Sequence, residues 1–122
     1  MPGVLQRKGR EGEEIAADFL SRRGMAVLDR NFRCPLGEID LVCKDGGRIV
    51  FVEVKSRRSR TCGLPQEAVS PAKQRRLTLV AQWYLKRKGL DRGPARFDVV
   101  AVSWRGSEPE ITWIANAFEA RE

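Results

Sequence analysis

Two acidic residues and a lysine stand at positions from which they could act together. Asp40 precedes Glu53-Val54-Lys55, and Asp45-Gly46-Gly47 between them is a strong hairpin signal. Side chains alternate along a strand, so Glu53 and Lys55 share one face. With Gly46-Gly47 as the two-residue turn, Asp40 lies opposite Glu53. A turn at Asp45-Gly46 keeps the same faces, whereas a three-residue loop would place Asp40 on the other face.

The same pairing places Glu38 opposite Lys55, so three carboxylates and a lysine converge on one patch of the sheet. Facing carboxylates repel unless a positive charge stands between them, and either a metal ion or Lys55 supplies one. The alternative is a surface ladder in which Glu38 pairs with Lys55 while Asp40 and Glu53 are solvated. The chain contains no histidine, which excludes Ser-His, Cys-His and His–metal sites. Oxygen ligands alone favour a hard cation, Mg²⁺ or Mn²⁺.

Two residues on helices are placed to join this patch. Glu13 is the one acid of the first helix that lies beside the apolar stripe around Ala16 and Leu20, so we expect it to lean towards the sheet. Lys73 lies on the inward side of the second helix and could reach a phosphate or an acid of the site. The alternatives are a glutamate that extends to solvent and a lysine that covers apolar surface.

The elements that would position these residues follow from periodicity and turn residues. We expect a flexible basic arm over residues 1–8 and a helix over residues 9–23 that Gly24 ends. Ser70-Pro71 then begins a second helix that ends near Lys88. Strands are predicted over residues 25–31, 38–44, 48–55, 96–104 and 110–114, with a loop over residues 56–69. The order α-β-β-β-α-β-β predicts an α/β fold, a mixed sheet covered by helices.

Length and composition limit the class of protein. With 122 residues, 42% of them hydrophobic, the chain is predicted to form a single domain over residues 1–122. The three cysteines form no Cys-x-x-Cys pair, so a disulfide framework or thiolate zinc site is not expected. No stretch approaches the roughly 20 apolar residues of a membrane span, and the N-terminus lacks the apolar segment of a secretory signal. We therefore expect a cytoplasmic protein without membrane association.

The charge distribution favours a polyanionic partner. The net charge is +7, from 23 Lys and Arg against 16 Asp and Glu, and such an excess attracts phosphates at long range. A basic cluster, Lys55-Ser56-Arg57-Arg58, directly overlaps the suspected site. The alternative is a basic protein whose charge serves solubility alone.

Several motifs together resemble the YraN-like family of bacterial proteins. They are Gly9-x-x-Gly12-Glu13, Asn31-x-Arg33, Gly37-Glu38-Ile39-Asp40-Leu41-Val42, Phe51-Val52-Glu53-Val54-Lys55-x-Arg57, Gly63, Glu67-Ala68-Val69, Lys73, Arg96-Phe97-Asp98-Val99-Val100 and Asn116-Ala117-Phe118. The resemblance covers nearly the whole chain. The family is similar to the archaeal Holliday-junction resolvases, within the restriction-endonuclease-like superfamily.

The resemblance implies a restriction-endonuclease-like fold and a particular set of site residues. It assigns the motif acid to Asp40, the Glu-x-Lys to Glu53-Val54-Lys55, and the helix glutamate to Glu13. Asp40, Glu53, Glu13 and the Val54 carbonyl would hold Mg²⁺ or Mn²⁺, and Lys55 would act on the attacking water or the developing charge. Ile39 stands where the superfamily motif often has proline. Glu38 would have a supporting role.

The function implied is that of a metal-dependent endonuclease on DNA, including branched or junction DNA, with DNA favoured over RNA. Phosphates would be held by five basic residues, Arg57, Arg58, Lys73, Arg76 and Arg10. The alternative is a non-catalytic nucleic-acid-binding or partner-docking module with the same fold. Resolvase relatives act as two-fold dimers, so a homodimer is also expected. Three tryptophans could supply its interface or instead belong to the core: Trp83, Trp104 and Trp113.

Overall fold

Five strands and two helices follow one another in the predicted order. The computed structural model describes residues 4–57, 69–90 and 93–120. Its elements are α1 (Val4–Arg22), β1 (Ala26–Cys34), β2 (Gly37–Asp45), β3 (Arg48–Arg57), α2 (Pro71–Arg87), β4 (Ala95–Arg105) and β5 (Glu108–Phe118).

The strands form one mixed sheet in the order β1-β2-β3-β4-β5. β3 and β4 are parallel, and the other neighbouring pairs are antiparallel. A parallel pair needs a crossover connection, and α2 lies in the segment between β3 and β4. The prediction of an α/β fold with a mixed sheet flanked by helices is therefore confirmed.

The two helices cover opposite faces of the sheet. Ala16, Ala17 and Leu20 of α1 pack on one face, against Val50 and Val52 of β3. On the other face, Leu77, Val80 and Tyr84 of α2 pack against Ile49 and Phe51. β3 is thus buried on both faces for most of its length, and apart from Arg48 at its start its polar residues stand near its carboxyl end.

The ends of several elements differ from their predicted positions. The backbone is helical from Val4, so the prediction of an arm over residues 1–8 is wrong for residues 4–8, and residues 1–3 lie outside the described part. Leu, Gln, Arg and Lys in this stretch are good helix formers, and the single Gly9 is tolerated inside the helix. β1 continues to Cys34 and β3 to Arg57, three and two residues beyond prediction. None of the described helices is long and apolar enough to cross a membrane.

The hairpin between β2 and β3 has the predicted two-residue turn. Asp45 pairs with Arg48 across Gly46-Gly47, and the register continues to Leu41 opposite Val52. Gly46 has φ of 62°, a conformation that glycine adopts without steric cost. The pairing ends there, one position short of Asp40 on β2 and of Glu53 on β3.

The alternation of faces breaks at Asp40. Ile39 and Val42 pack in the same cluster on the α2 side although two residues separate them, whereas Leu41 packs on the α1 side. In β1, Asn31 lies between two residues that pair with Leu41 and Ile39, and its φ is 52°. Asparagine tolerates this left-handed conformation better than most residues. Both strands therefore turn at the position of Asp40.

Gly12 lets α1 approach β3 at the carboxyl end of the strand. A Cβ atom at this position would lie 1.9 Å from Ser56 Oγ and 3.3 Å from Ser56 Cβ. The close approach places Glu13, the next residue, beside the part of the sheet that carries Asp40 and Glu53. Gly12 thus serves the packing of the helix on the sheet.

This contact predicts the sign of a substitution. Gly12→Ala in an exposed helix would stabilise by about 1 kcal/mol, but here the methyl group meets Ser56 and should lower the free energy of unfolding by about 1–3 kcal/mol. Ser56→Ala removes Oγ, which accepts and donates no hydrogen bond among the described residues. Urea unfolding of Gly12→Ala, Ser56→Ala and the double variant should show that the double variant recovers most of the loss. A Gly12→Ala protein more stable than wild type would contradict this packing.

Candidate metal and phosphate site

Asp40 and Glu53 meet where the β2–β3 ladder ends. Beyond the Leu41–Val52 pair, the Val54 N–H donates to Asp40 Oδ2 at 2.7 Å, so a carboxylate takes the place of a strand carbonyl. Glu53 is 6% exposed. The structure thus brings these two acids together, as the sequence predicts.

The two acids share a proton. Burial, the hydrogen bond with Glu53 and the negative charge of Glu53 together raise the pKa of Asp40 to about 8, and burial is the largest of these causes. The hydrogen bond from the Val54 N–H acts in the opposite direction. For Glu53, burial alone would raise the pKa, but the hydrogen bond with Asp40 and the contact with Lys73 hold it below its usual value. At neutral pH the pair therefore carries one negative charge, with Asp40 protonated and Glu53 ionised.

Two lysines surround Glu53. Lys73 Nζ lies 2.5 Å from Glu53 Oε2, and Lys55 Nζ lies 3.9 Å from the same oxygen. Burial and the neighbouring Lys73 lower the pKa of Lys55. Burial also acts to lower the pKa of Lys73, but its contacts with Glu53 and Lys55 outweigh burial and raise it. Lys73, expected to reach either a phosphate or an acid of the site, is paired with an acid.

The start of α2 places Lys73. Ser70 caps the helix, its Oγ accepting from the Lys73 N–H at 3.2 Å, and Pro71 occupies the first turn. Ser and Pro are favoured at these positions because they satisfy or omit an N–H that has no partner within the helix. Lys73 then shares the inward side of the helix with buried Leu77 and Val80.

Glu13 approaches the pair from α1 and is held by Asn31. Burial raises the pKa of Glu13, a hydrogen bond with Asn31 opposes this, and the charges of Glu38 and Glu53 raise it further. Arg10 lies near enough to lower it. Glu13 therefore belongs to the same electrostatic cluster as Glu53, as predicted.

Asn31 is a site residue whose role the sequence reasoning missed. It entered only as part of the Asn31-x-Arg33 motif. Its left-handed backbone conformation and its bond with Glu13 make it a positioning residue at the bend of β1. An asparagine within a strand was the available signal, because this residue is enriched at positive φ.

The other predicted site residues are more dispersed. Glu38 lies opposite Arg33 of β1 and pairs with it on the surface, Arg33 Nε to Glu38 Oε2 at 3.0 Å. Its predicted position opposite Lys55 is wrong, because the β2–β3 pairing ends at Leu41 and the faces do not alternate through Asp40. Lys55 stands against Glu53. Arg76 is exposed on α2, its stem close to Gly37. Of the basic cluster after β3, Arg57 contributes the last strand residue, and Arg58 lies outside the described residues.

The donor set suits a hard cation held by few protein ligands. In the described ranges 4–57, 69–90 and 93–120, no three Asp, Glu, Cys or His side chains gather closely enough to hold a metal ion. The close pair is Asp40 and Glu53, and Glu13 stands further off. Glu53 Oε2 is buried and lies against Lys73 Nζ and Lys55 Nζ, so a cation that takes this oxygen as ligand would have to replace a lysine. Mg²⁺ commonly takes one or two carboxylates and completes its shell with water and phosphate.

A second buried carboxylate shows what a purely structural acid looks like here. Asp98 is fully buried and accepts from Arg96 Nε and Nη2, Trp113 Nε1 and the Asn116 N–H, at 2.9–3.3 Å. These donors join β4 to β5 and leave the carboxylate fully partnered. In the described part of the chain, Asp40 accepts from the Val54 N–H, and Glu53 lies against Lys73 and Lys55. That difference is typical of a site that receives a cation or a phosphate.

The fold and site define a small α/β domain with a pair of carboxylates, one buried and one half-buried, and two lysines at one end of its sheet. The pattern of the family described as "Uncharacterised protein family UPF0102" matches residues 12–102, and the chain belongs to this family, which is the YraN-like family that its motifs resemble.

Relatives of this family cover most of the chain. A UPF0102 protein of Symbiobacterium thermophilum is 54% identical over 119 residues, 96% of this chain and 100% of the relative. One of Syntrophotalea carbinolica is 52% identical over 111 residues, 91% and 90% of the two chains. Among solved structures, Pyrococcus furiosus SfsA in complex with Ca²⁺ is similar with a TM-score of 0.42 and 15% identity, over 91% of this chain and 63% of that one.

The raised pKa of Asp40 predicts a pH-dependent stability in the metal-free protein. Between the unfolded pKa near 4 and the folded pKa of about 8, folding takes up a proton at Asp40, so its contribution to stability falls as pH rises. In Asp40→Asn, the amide oxygen can still accept from the Val54 N–H and the amide nitrogen can donate to Glu53. The amide does not titrate, so this contribution to stability does not depend on pH. We expect the Tm of this variant, measured with EDTA, to exceed that of wild type by roughly 3–10 °C at pH 8.5 and by less at pH 5. A variant less stable than wild type at pH 8.5 would contradict the shared proton.

Proposed function

We propose that this protein is a metal-dependent nuclease that hydrolyses phosphodiester bonds of DNA, branched DNA included. The observation that carries the proposal is the pair of half-buried Asp40 and buried Glu53, with Lys55 and Lys73 beside it. Two carboxylates and nearby lysines are what metal-assisted phosphoryl transfer needs: oxygen ligands for a hard cation and positive charge beside the phosphate.

Asp40, Glu53 and the Val54 carbonyl are the proposed ligands, with Glu13 acting nearby. Bound there, Mg²⁺ or Mn²⁺ would act as a Lewis acid towards a phosphate oxygen and the attacking water. Lys55, half-buried and 3.9 Å from Glu53 Oε2, is placed to orient that water or to stabilise charge that develops on the phosphate. Asn31 keeps Glu13 facing the pair.

Lys73 is proposed to change partners during the cycle. Its ammonium stands against Glu53 Oε2, where it supplies the positive charge that the ionised carboxylate requires. If Glu53 held a cation through this oxygen, Lys73 would lose its partner, and its ammonium would be free to bind a phosphate of the substrate. Lys73 would thus balance the negative charge of Glu53 in the metal-free protein, and bind a phosphate of the substrate in the metal-bound protein.

Basic residues around the site would hold the nucleic-acid backbone. Arg10 is close enough to influence Glu13, Arg76 is exposed on the helix that carries Lys73, and the net charge of the chain is +7. With Arg57 and Arg58 after β3, these residues would contact phosphates without reading sequence. DNA is proposed rather than RNA because the resolvases that the motifs resemble act on DNA junctions.

One observation favours a non-catalytic alternative. Lys73 already neutralises Glu53, and a third carboxylate does not complete the pair among the described residues. A module that binds nucleic acid through the same basic surface needs no metal ion, so the ion pair between Lys73 and Glu53 would not interfere with its function. Cleavage assays separate the two functions.

The cleavage test uses duplex, single-stranded, flap and four-way-junction DNA with Mg²⁺ or Mn²⁺. Asp40→Asn and Glu53→Gln should each lower cleavage at least about 100-fold, beyond the 10–100-fold typical of residues that only support metal ligands, and leave DNA affinity within about threefold. Glu38→Gln, which removes an exposed acid of the same strand, is the matched control and should cleave as wild type does. If Asp40→Asn cleaved DNA as wild type does, Asp40 would not be a catalytic residue. If wild type bound DNA but cleaved none of these substrates, the protein would be the non-catalytic binding module.

The role of Lys73 predicts opposite effects on two readouts. Lys73→Gln removes a cation that competes for Glu53, so Mn²⁺ affinity in the absence of DNA should rise roughly tenfold, while cleavage falls. Lys86→Gln, a neutralisation on the exposed side of the same helix, should change neither. Calorimetric Mn²⁺ titration and initial cleavage rates give the two values. If both quantities fell together, Lys73 would be a structural partner of Glu53 only.

A further inference from the structure

An apolar cluster with a basic border lies on the outer side of α2. Leu36, Leu79 and Trp83 are 43%, 49% and 37% exposed and, with Lys86, line one hollow. Arg75 is exposed on the preceding turn of the helix. We call this surface, defined by these five residues, the basic ridge. Exposed leucines beside an exposed tryptophan are typical of protein contact surfaces.

A groove of opposite charge lies between α1 and β5. Its floor is apolar, from Ile15, Phe19 and Ile111, and its volume is about 570 Å³. Its border carries three acids, Glu11, Glu14 and Asp18, and one base, Arg22, which pairs with Asp18 at 3.0 Å. The Arg23 guanidinium lies 4.0 Å from the centre of the Phe19 ring, so the negative charge of the border comes mainly from Glu11 and Glu14. We call this surface the acidic groove. Neither surface includes a residue of the Asp40–Glu53 site.

The two surfaces lie on opposite sides of the molecule, because α1 and α2 cover opposite faces of the sheet. A two-fold contact repeats the same surface on both partners, so it would place ridge against ridge or groove against groove and oppose like charges. A head-to-tail contact instead joins an apolar centre with a basic border to an apolar floor with an acidic border. Of these two arrangements, only the head-to-tail contact brings a basic border against an acidic border and an apolar surface against an apolar surface.

We propose that the basic ridge of one copy docks in the acidic groove of a second copy. Such a contact is heterologous, so each copy keeps one free ridge or one free groove and the assembly can extend. Net charge opposes the approach of copies at low ionic strength, but at physiological salt the Debye length of about 8 Å limits this repulsion to the immediate surroundings. The contact thus differs from the two-fold dimer that the resolvase resemblance implies.

The test is sedimentation analysis without DNA or metal, so its outcome is independent of nuclease activity. The ridge variant is Leu79→Ser/Trp83→Ser and the groove variant is Glu11→Lys/Glu14→Lys. Leu28→Ser/Leu90→Ser, which replaces two leucines of similar exposure outside both surfaces, is the matched control. Far-ultraviolet circular dichroism and thermal unfolding establish that each variant is folded.

We expect the average mass of wild type and of the control to rise with concentration up to about 1 mM, and each surface variant to associate at least tenfold more weakly. An equimolar mixture of the ridge and groove variants should form a one-to-one dimer that does not grow, because it retains one intact ridge and one intact groove. Wild type that stays monomeric throughout would overturn the proposal. So would a mixture that stays monomeric, or a groove variant that associates as wild type does, which would indicate a two-fold contact between ridges.

Discussion

The hydrogen-bonded pair of Asp40 and Glu53 is the constraint on which the arrangement of this molecule depends. Two carboxylates enclosed by a folded domain repel, and they coexist here because one keeps a proton while the other is compensated by lysine. This constraint explains the roles of three other residues, Lys73, Asn31 and Gly12. Lys73 supplies the charge, Asn31 turns β1 at the level of Asp40 and orients Glu13, and Gly12 lets α1 come close enough to bring Glu13 there.

The polar end of the sheet differs from the rest of the core in how its groups are satisfied. Asp98 is fully buried, has a full set of donors and joins two strands. Within the described part of the chain, the pair of half-buried Asp40 and buried Glu53 has one backbone donor and two neighbouring lysines. Natural proteins keep such costly groups mainly where they are used, which is why the pair supports the proposed function better than net charge or family membership does. The family itself is uncharacterised.

Much of this site could be predicted from local signals. The two glycines after Asp45 fix the hairpin register, and this register brings Asp40 and Glu53 together at the end of the β2–β3 ladder. Helical periodicity likewise places Lys73 on the inward side of α2. The placement of Glu38 failed because alternation does not continue through a residue at which the strand turns. The contribution of Asn31 depends on a positive φ and on a contact between α1 and β1 that tertiary packing alone creates.

The central claim is that Asp40 and Glu53 hold one proton that a divalent cation replaces. The most direct measurement is Mn²⁺ titration of the wild-type protein by calorimetry at pH 7, in buffers with different enthalpies of ionisation, which counts the protons released on binding. With the pKa of Asp40 at about 8, binding should release about one proton per ion, and the number should fall towards zero above pH 9. Binding without proton release at pH 7, or no binding of Mn²⁺ at either pH, would contradict the account.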